Sequence, residues 1–272
     1  MTPVVRSIAA CGAALMMSLA GPGAHADPVD LGAWTGESFP AVAGFGAGVW
    51  TPAADGSSVH QSVNGQPTLF VSDFSAFGSD VRGEIRVNSD NDDDFIGFAL
   101  GYRPGDHANT VAEYLLIDWK RSDQFFDFGA PSDTPGSTAH GGLAVSQVNG
   151  VPTADEFWGH LNFEGDEGGL MELQRGMNLH DTGWNVGQTY EFRFVFQPHS
   201  LDVFVDGQLE LSITGDFWEG RMAFYNFSQS DVTYSAFTLD RLPTPVPEPA
   251  TWALAVAGLA GVGGIGRRRR AS

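Results

Sequence analysis

The stretch Tyr190–Val205, YEFRFVFQPHSLDVFV, with its continuation DGQLELSI over Asp206–Ile213, decides how this chain folds. Tyr190, Phe192, Phe194 and Phe196 alternate with Glu191, Arg193 and Val195. In a strand, successive side chains point to opposite faces, so this spacing sets four rings on one face. Leu201–Val205 and Gln208–Ile213 flank Asp206-Gly207, the favoured two-residue hairpin turn. A face this apolar belongs against a second layer.

Outward from this hairpin the same signals recur. Arg221–Phe227 and Val232–Leu239 read as strands joined across the polar turn Ser228–Asp231. Upstream, Thr68–Val71 and Val81–Val87 are β-branched runs, the second with Arg82, Glu84 and Arg86 interleaved on a wet face. Phe95–Tyr102 is too continuously apolar for an exposed strand and reads as central to its sheet, and Glu113–Trp119 is another buried strand. Leu31–Asn64, with Trp34 and Trp50, reads as a looped lead-in strand, Phe128–Gly142 as a glycine, proline and serine loop, and Pro152–Leu179 as mixed. The acidic patch Glu164–Glu167 in that last region reads as surface. No segment between residues 27 and 241 shows a 3.6-residue period. Eight or more strands with short turns predict an all-β, two-sheet jelly roll.

Both ends of the chain carry addresses. A charged start ending at Arg6, an apolar run from Ile8 to Ala20, and Ala24-His25-Ala26 form a secretory signal helix cut by signal peptidase after Ala26. Residues 1–26 are therefore the signal peptide and 27–241 the folded domain. Leu242–Pro249 (LPTPVPEP) is a proline-rich stalk that cannot join a sheet. It leads into the uncharged hydrophobic helix 250–266 and the arginines 267–270, which hold their end in the cytoplasm. That helix holds five glycines and is shorter than the ~20 residues of an ordinary span, a poor permanent anchor.

The order of Val246-Pro247-Glu248-Pro249, apolar helix and arginine cluster resembles the PEP-CTERM sorting signal of Gram-negative bacteria. The resemblance covers residues 242–272. It implies recognition by the membrane protease exosortase and cleavage near Pro247, Glu248 and Pro249. It also implies a transient inner-membrane intermediate, with membrane contact only through the tail before cleavage, and a product at the cell surface or in an exopolysaccharide (biofilm) matrix.

The sole cysteine, Cys11, leaves with the signal peptide, so the mature domain has no disulfide. Bound metal is one candidate to staple its loops instead. The chain has 14 basic and 33 acidic residues; processing removes Arg6, four arginines and Glu248, leaving 9 against 32 and a net charge of −23. Nucleic acid and anionic lipid are disfavoured as partners on this charge, and divalent cations favoured, unless the acidity serves only to keep a secreted protein soluble.

The stretch NSDNDDDFIGFALGY (Asn88–Tyr102) sets Asp90, Asp92, Asp93 and Asp94 against the buried strand that begins at Phe95. Calcium takes six to eight oxygens, and carboxylates close in sequence on a turning loop can supply several. The segment lacks the glycine and the flanking helices of the twelve-residue calcium loop. On spacing alone it is either a metal site or a solvated acidic turn. Asp118, beside Trp119, is either a strand-end group or a ligand.

Val87–Tyr102, the DWK of Asp118–Lys120, Gly183–Gly207 and Gly220–Phe237, in this order and spacing, resemble the C-terminal lectin-like domain of thrombospondins over Ser57–Leu239. The resemblance implies a concanavalin-like jelly roll that binds calcium and acts in contacts between cells and matrix. The family's aspartate triplet falls on Asp92, Asp93 and Asp94; Asp90 and Asn91 enter the expected ligand set by proximity, and Asp118 as a further candidate. The chain lacks the calcium-repeat segment, the cysteines and an Arg-Gly-Asp tripeptide. Calcium sites shared with those repeats, and integrin-type binding, are therefore not expected.

The expected function is that of an exported, calcium-binding, non-catalytic adhesion protein whose partner is a matrix component or polysaccharide. A carbohydrate-binding module is the alternative, with Trp158, Trp184 and Trp218 as candidate stacking rings. A glycosidase is a third reading. Glu164, Asp166 and Glu167 are its nearest carboxylates, but they lie among glycines rather than alternating along a strand. No catalytic residue is assigned.

Overall fold

The computed structural model describes residues 26–243 apart from 43, 130–134 and 164–167. The signal helix, the sorting tail with Pro247, Glu248 and Pro249, and the patch Glu164–Glu167 lie outside the described residues.

The strands are, in chain order, β1 (Asp27–Pro28), β2 (Thr35–Ser38), β3 (Trp50–Pro52), β4 (Ser58–Gln61), β5 (Thr68–Ser75), β6 (Ser79–Val87), β7 (Phe95–Tyr102), β8 (Glu113–Lys120), β9 (Gln124–Phe126), β10 (Ser137–Ala139), β11 (Gly142–Gly150), β12 (Gly168–Arg175), β13 (Thr189–Gln197), β14 (Ser200–Val205), β15 (Gln208–Thr214), β16 (Arg221–Phe227) and β17 (Val232–Arg241). One antiparallel sheet runs β15-β14-β13-β6-β17-β4-β3, with β1 pairing β17. The other runs β12-β11-β8-β7-β16-β5-β2, and β9 with β10 forms a small separate ribbon. This is the expected two-sheet sandwich.

The core lies where the aromatic face of β13 meets the second sheet. Phe98 on β7 touches Phe192 and Phe194 at ring distances of 5.0 and 4.7 Å, and Phe224 and Tyr234 at 5.9 and 5.7 Å. Each ring so buried contributes ~1.5–3 kcal/mol. β7 is buried along its whole length because both faces are covered. Ile96, Phe98 and Leu100 enter the inter-sheet core. Phe95, Ala99 and Tyr102 enter a second apolar cluster on the outer face.

That second cluster is closed by a short helix, α1 (Ala154–Gly159), where the sequence shows no helical period. Its start is a capping box: the Glu156 amide donates to Thr153 Oγ1 at 3.3 Å, and the Thr153 amide to the Glu156 carboxylate at 2.7 Å. Phe157 and Trp158 on this helix are buried against Phe95, Tyr225 and Phe227. β11 and β12 are likewise strands that composition did not announce. The buried positions of β11 include Ala144, Ser146 and two glycines, so its sequence has no clean alternation.

Candidate metal site

The aspartates sit at the entry to β7, and the core fixes their backbone. The Asp94 amide donates to Gln229 Oε1 at 3.0 Å, and the Asp94 carbonyl accepts from the Trp184 indole at 3.1 Å. The Arg121 amide donates to the Asp93 carbonyl at 3.1 Å, tying the loop to the end of β8. Held this way, Asp92, Asp93 and Asp94 bring one carboxylate oxygen each within 4.8 Å of one another. Like charges so close repel, so a nearby cation or a raised carboxyl pKa relieves the cluster.

One cation is already built in. Lys120, fully buried at the end of β8, bonds Asp94 Oδ1 and lies 3.3 Å from the Asp93 carbonyl, 3.5 Å from Asp93 Oδ1 and 3.2 Å from Gln124 Oε1. Its ammonium also stands 4.6 Å from the Trp158 ring centroid, a favourable cation–π distance. Burial pushes the Asp94 carboxyl up to about 7; the Lys120 ammonium pulls against that rise and the Asp92 charge adds to it. Asp92 accepts from Asn64 Nδ2, and Asp93 from Ser122 Oγ. A cavity of about 200 Å³ opens beside them, lined by Asn64, Asp92, Asp94, Gln124, Phe126 and Trp158 among others. The donor set fits calcium in kind: hard carboxylate oxygens on a fixed loop, with more negative charge than Lys120 balances. Asp92 and Asp93 would hold the ion, with Asp94 shared between it and Lys120.

The other expected ligands lie elsewhere. Asp90 is largely exposed and pairs with Arg121 Nη1, while Asn91 Nδ2 donates to Ser89 Oγ at 3.0 Å. Asp118 is buried and is not one of the three clustered carboxylates. Its Oδ2 lies 2.9 Å from His160 Nε2, and His160 Nδ1 lies 3.1 Å from Glu172 Oε2. Arg175 Nε closes the cluster onto Glu172 at 3.0 Å. His160 reaches this position because it ends α1 with a left-handed backbone, φ 53°. Burial opposes its charge, but Asp118 and then Glu172 outweigh burial and raise the imidazole to about 9. Burial likewise opposes the Glu172 charge, and His160 with Arg175 hold that carboxyl down at about 2.

Lys120, Asn64, Ser122 and Gln229 belong to the site although sequence reading did not select them. Only Lys120 had a local signal, a lone cation ending an apolar strand; the others are brought in by topology. Of the rings proposed for sugar stacking, Trp158 and Trp184 are buried and Trp218 is half-buried.

The family described as "Thrombospondin C-terminal region" matches residues 46–241, and the "PEP-CTERM protein-sorting motif" matches residues 245–270. The chain is 26% identical over 200 residues to thrombospondin-2 of Mus musculus, covering 68% of this chain and 16% of that protein. It is 24% identical over 201 residues to thrombospondin-1 of Xenopus laevis, again covering 68% and 16%. The alignment thus spans about a sixth of the length of these curated relatives. Among solved structures it is similar to the carbohydrate binding module CBM66 from Bacillus subtilis, with TM-score 0.44, 12% identity, and coverage of 74% of this chain and 99% of that one. It is also similar to the VIP36 exoplasmic/lumenal domain in its Ca2+/Man3GlcNAc-bound form, with TM-score 0.46, 12% identity, and coverage of 79% and 86%.

Proposed function

We propose, from the premise that this chain belongs to the thrombospondin C-terminal region family, that it is an exported, calcium-binding, non-catalytic adhesion protein of a bacterial surface or matrix. The observation that carries the reading is the convergence of Asp92, Asp93 and Asp94 within 4.8 Å, with Lys120 as a buried counter-charge that does not balance all three. An ion there would tie the entry of β7 to the end of β8 and rigidify the rim of the sandwich. The sorting motif supports export and exosortase processing. In this reading signal peptidase cuts after Ala26, and exosortase acts near Pro247, Glu248 and Pro249. The membrane is then touched only through the tail, before cleavage in a Gram-negative host.

The test is thermal unfolding of residues 27–246 with calcium and with chelator. Calcium at a hundred times its dissociation constant adds ~2.7 kcal/mol to the folded state. The melting temperature should rise with calcium in the wild type and stay put in an Asp92→Ala, Asp93→Ala double variant. An unchanged melt, or a double variant that responds like the wild type, refutes the site.

A further inference from the structure

At the far end of β7 from the aspartates, the rims of the two sheets part over a cavity of about 490 Å³. Gln147 and Leu173 line it from one sheet, and Thr214, Asp216 and Trp218 from β15 and the loop that follows. Asp94 and Gly101 stand seven residues apart on an extended chain, about 20 Å at strand rise. The loop carrying Trp218 is packed against Gly101: a Cβ placed on Gly220 would lie 2.2 Å from the Gly101 carbonyl carbon. The loop is also pinned by the Phe217 amide donating to the Pro198 carbonyl at 2.9 Å, and by the Ala76 amide donating to the Gly220 carbonyl at 2.9 Å. Trp218 is therefore presented on a fixed support.

Its surroundings set it apart from the other described tryptophans. Trp34, Trp119, Trp158 and Trp184 are buried, and Trp50 stacks on Phe70 and donates to Thr68 Oγ1 at 3.1 Å. Trp218 is half-buried, and among the described residues its ring meets no other ring and its indole N–H no acceptor. Gln147 donates Nε2 to Glu113 Oε1 at 2.7 Å, which orients the amide and leaves its carbonyl oxygen without a partner among the described residues. A flat apolar ring with a free N–H, an oriented amide and a threonine hydroxyl match a ligand that is apolar on one face and rich in hydroxyls at its edge. Asp216 is the charged lining group, and its Oδ1 is met by exposed His199 at 2.9 Å. No lysine or arginine lines the cavity, and the processed domain carries a net charge of −23, so an anionic ligand is disfavoured. The volume is within the range of small-molecule pockets and accepts a short oligosaccharide.

We infer that the groove between Trp218 and Gln147 is a binding subsite for neutral oligosaccharides, separate from the aspartate cluster and independent of metal. It goes beyond the calcium reading and stands if that reading fails. The test is titration of the exported chain with cellotriose, maltotriose and mannotriose, read by calorimetry and tryptophan fluorescence. At least one should bind equally well in calcium and in chelator, and equally well to an Asp92→Ala, Asp93→Ala variant. Trp218→Ala should weaken that binding at least tenfold. Trp218→Phe, which keeps an aromatic ring, should abolish the ligand-induced fluorescence change, and Gln147→Ala should weaken binding severalfold. The inference is overturned if none of the three sugars binds, if Trp218→Ala binds as wild type, or if chelator or the double variant removes binding that Trp218→Ala retains. A calcium-insensitive melt alongside Trp218-dependent sugar binding would refute the metal site and leave this one intact.

Discussion

Asp94 and Asp118 are both buried carboxylates, 2% and 1% exposed, and each is paired with a buried cation: Lys120 for Asp94, His160 for Asp118. They nevertheless make opposite kinds of site. Around Asp118 the charges alternate and close, from Asp118 to His160 to Glu172 to Arg175. Around Asp94 they do not, since Asp92 and Asp93 add negative charge beside a cavity open to solvent. A closed, alternating cluster ties α1 to the sheet and has no surplus charge for a further ion to balance. An open cluster with surplus charge is the one that can accept a metal. Burial alone does not distinguish them; charge balance and access do.

The comparison breaks most readily at Asp118. Asp118→Ala takes the nearer carboxylate from the buried His160 imidazolium and leaves it only Glu172 at 3.1 Å, and removing one partner of a buried pair costs up to about 3–5 kcal/mol. Asp94→Ala should cost less in urea unfolding, because Lys120 keeps Asp93 and Gln124 oxygens as partners. An equal or larger loss at Asp94 would make the two sites alike.

The next effect is on pH dependence. His160 is raised from its ordinary 6.5 to about 9, so the folded state binds the proton more tightly than the unfolded chain. Its contribution is complete below the unfolded value of about 6.5 and fades as pH climbs through about 9. At 1.36 kcal/mol per unit this is about 3 kcal/mol. Urea midpoints between pH 6.5 and 9.5 should fall in the wild type and stay flatter in His160→Gln; parallel slopes would show that His160 is not the charged hub of the closed cluster.

Smaller again is the effect of Lys120→Met on metal. Deleting the built-in cation frees Asp94 and removes cation–cation repulsion, so calcium should bind at least tenfold tighter by calorimetry, about 1.4 kcal/mol. Weaker binding would mean that Lys120 positions Asp94 for the ion instead of competing with it. Arg121→Ala should matter least. Asp90 is 73% exposed, and exposed pairs contribute about 0–1 kcal/mol. A midpoint shift beyond that range would bring Asp90 into the site proper.

Much of this was legible in the residues. The alternation in Tyr190–Phe196 and the Asp206-Gly207 turn appear as β13 and the β14–β15 hairpin, with the rings inward as their spacing requires. The clustering of Asp92, Asp93 and Asp94 followed from adjacency on a turning loop. The helix α1 was signalled by Thr153-Ala154-Asp155-Glu156, a capping-box spelling whose six helical residues are too few to show a period. β11 was hidden because small and polar residues are buried along it, beside a bulge between Val145 and Ser146 where it pairs β12. His160 had no local signal at all, since its two carboxylate partners lie 42 and 12 residues away.

By itself the sequence determined the all-β class, the sorting motif over residues 245–270 and the acid-rich loop, because periodicity, breakers and charge runs are local properties. Only the tertiary structure decided which carboxylates are neutralised and which are left over. Lys120 reaches Asp94 across 26 residues and His160 reaches Asp118 across 42, and such pairings depend on strand order and register. The same holds for Trp218: nothing local distinguishes it from the other tryptophans, and only the packing of the two sheet rims leaves its ring and indole N–H without a partner among the described residues.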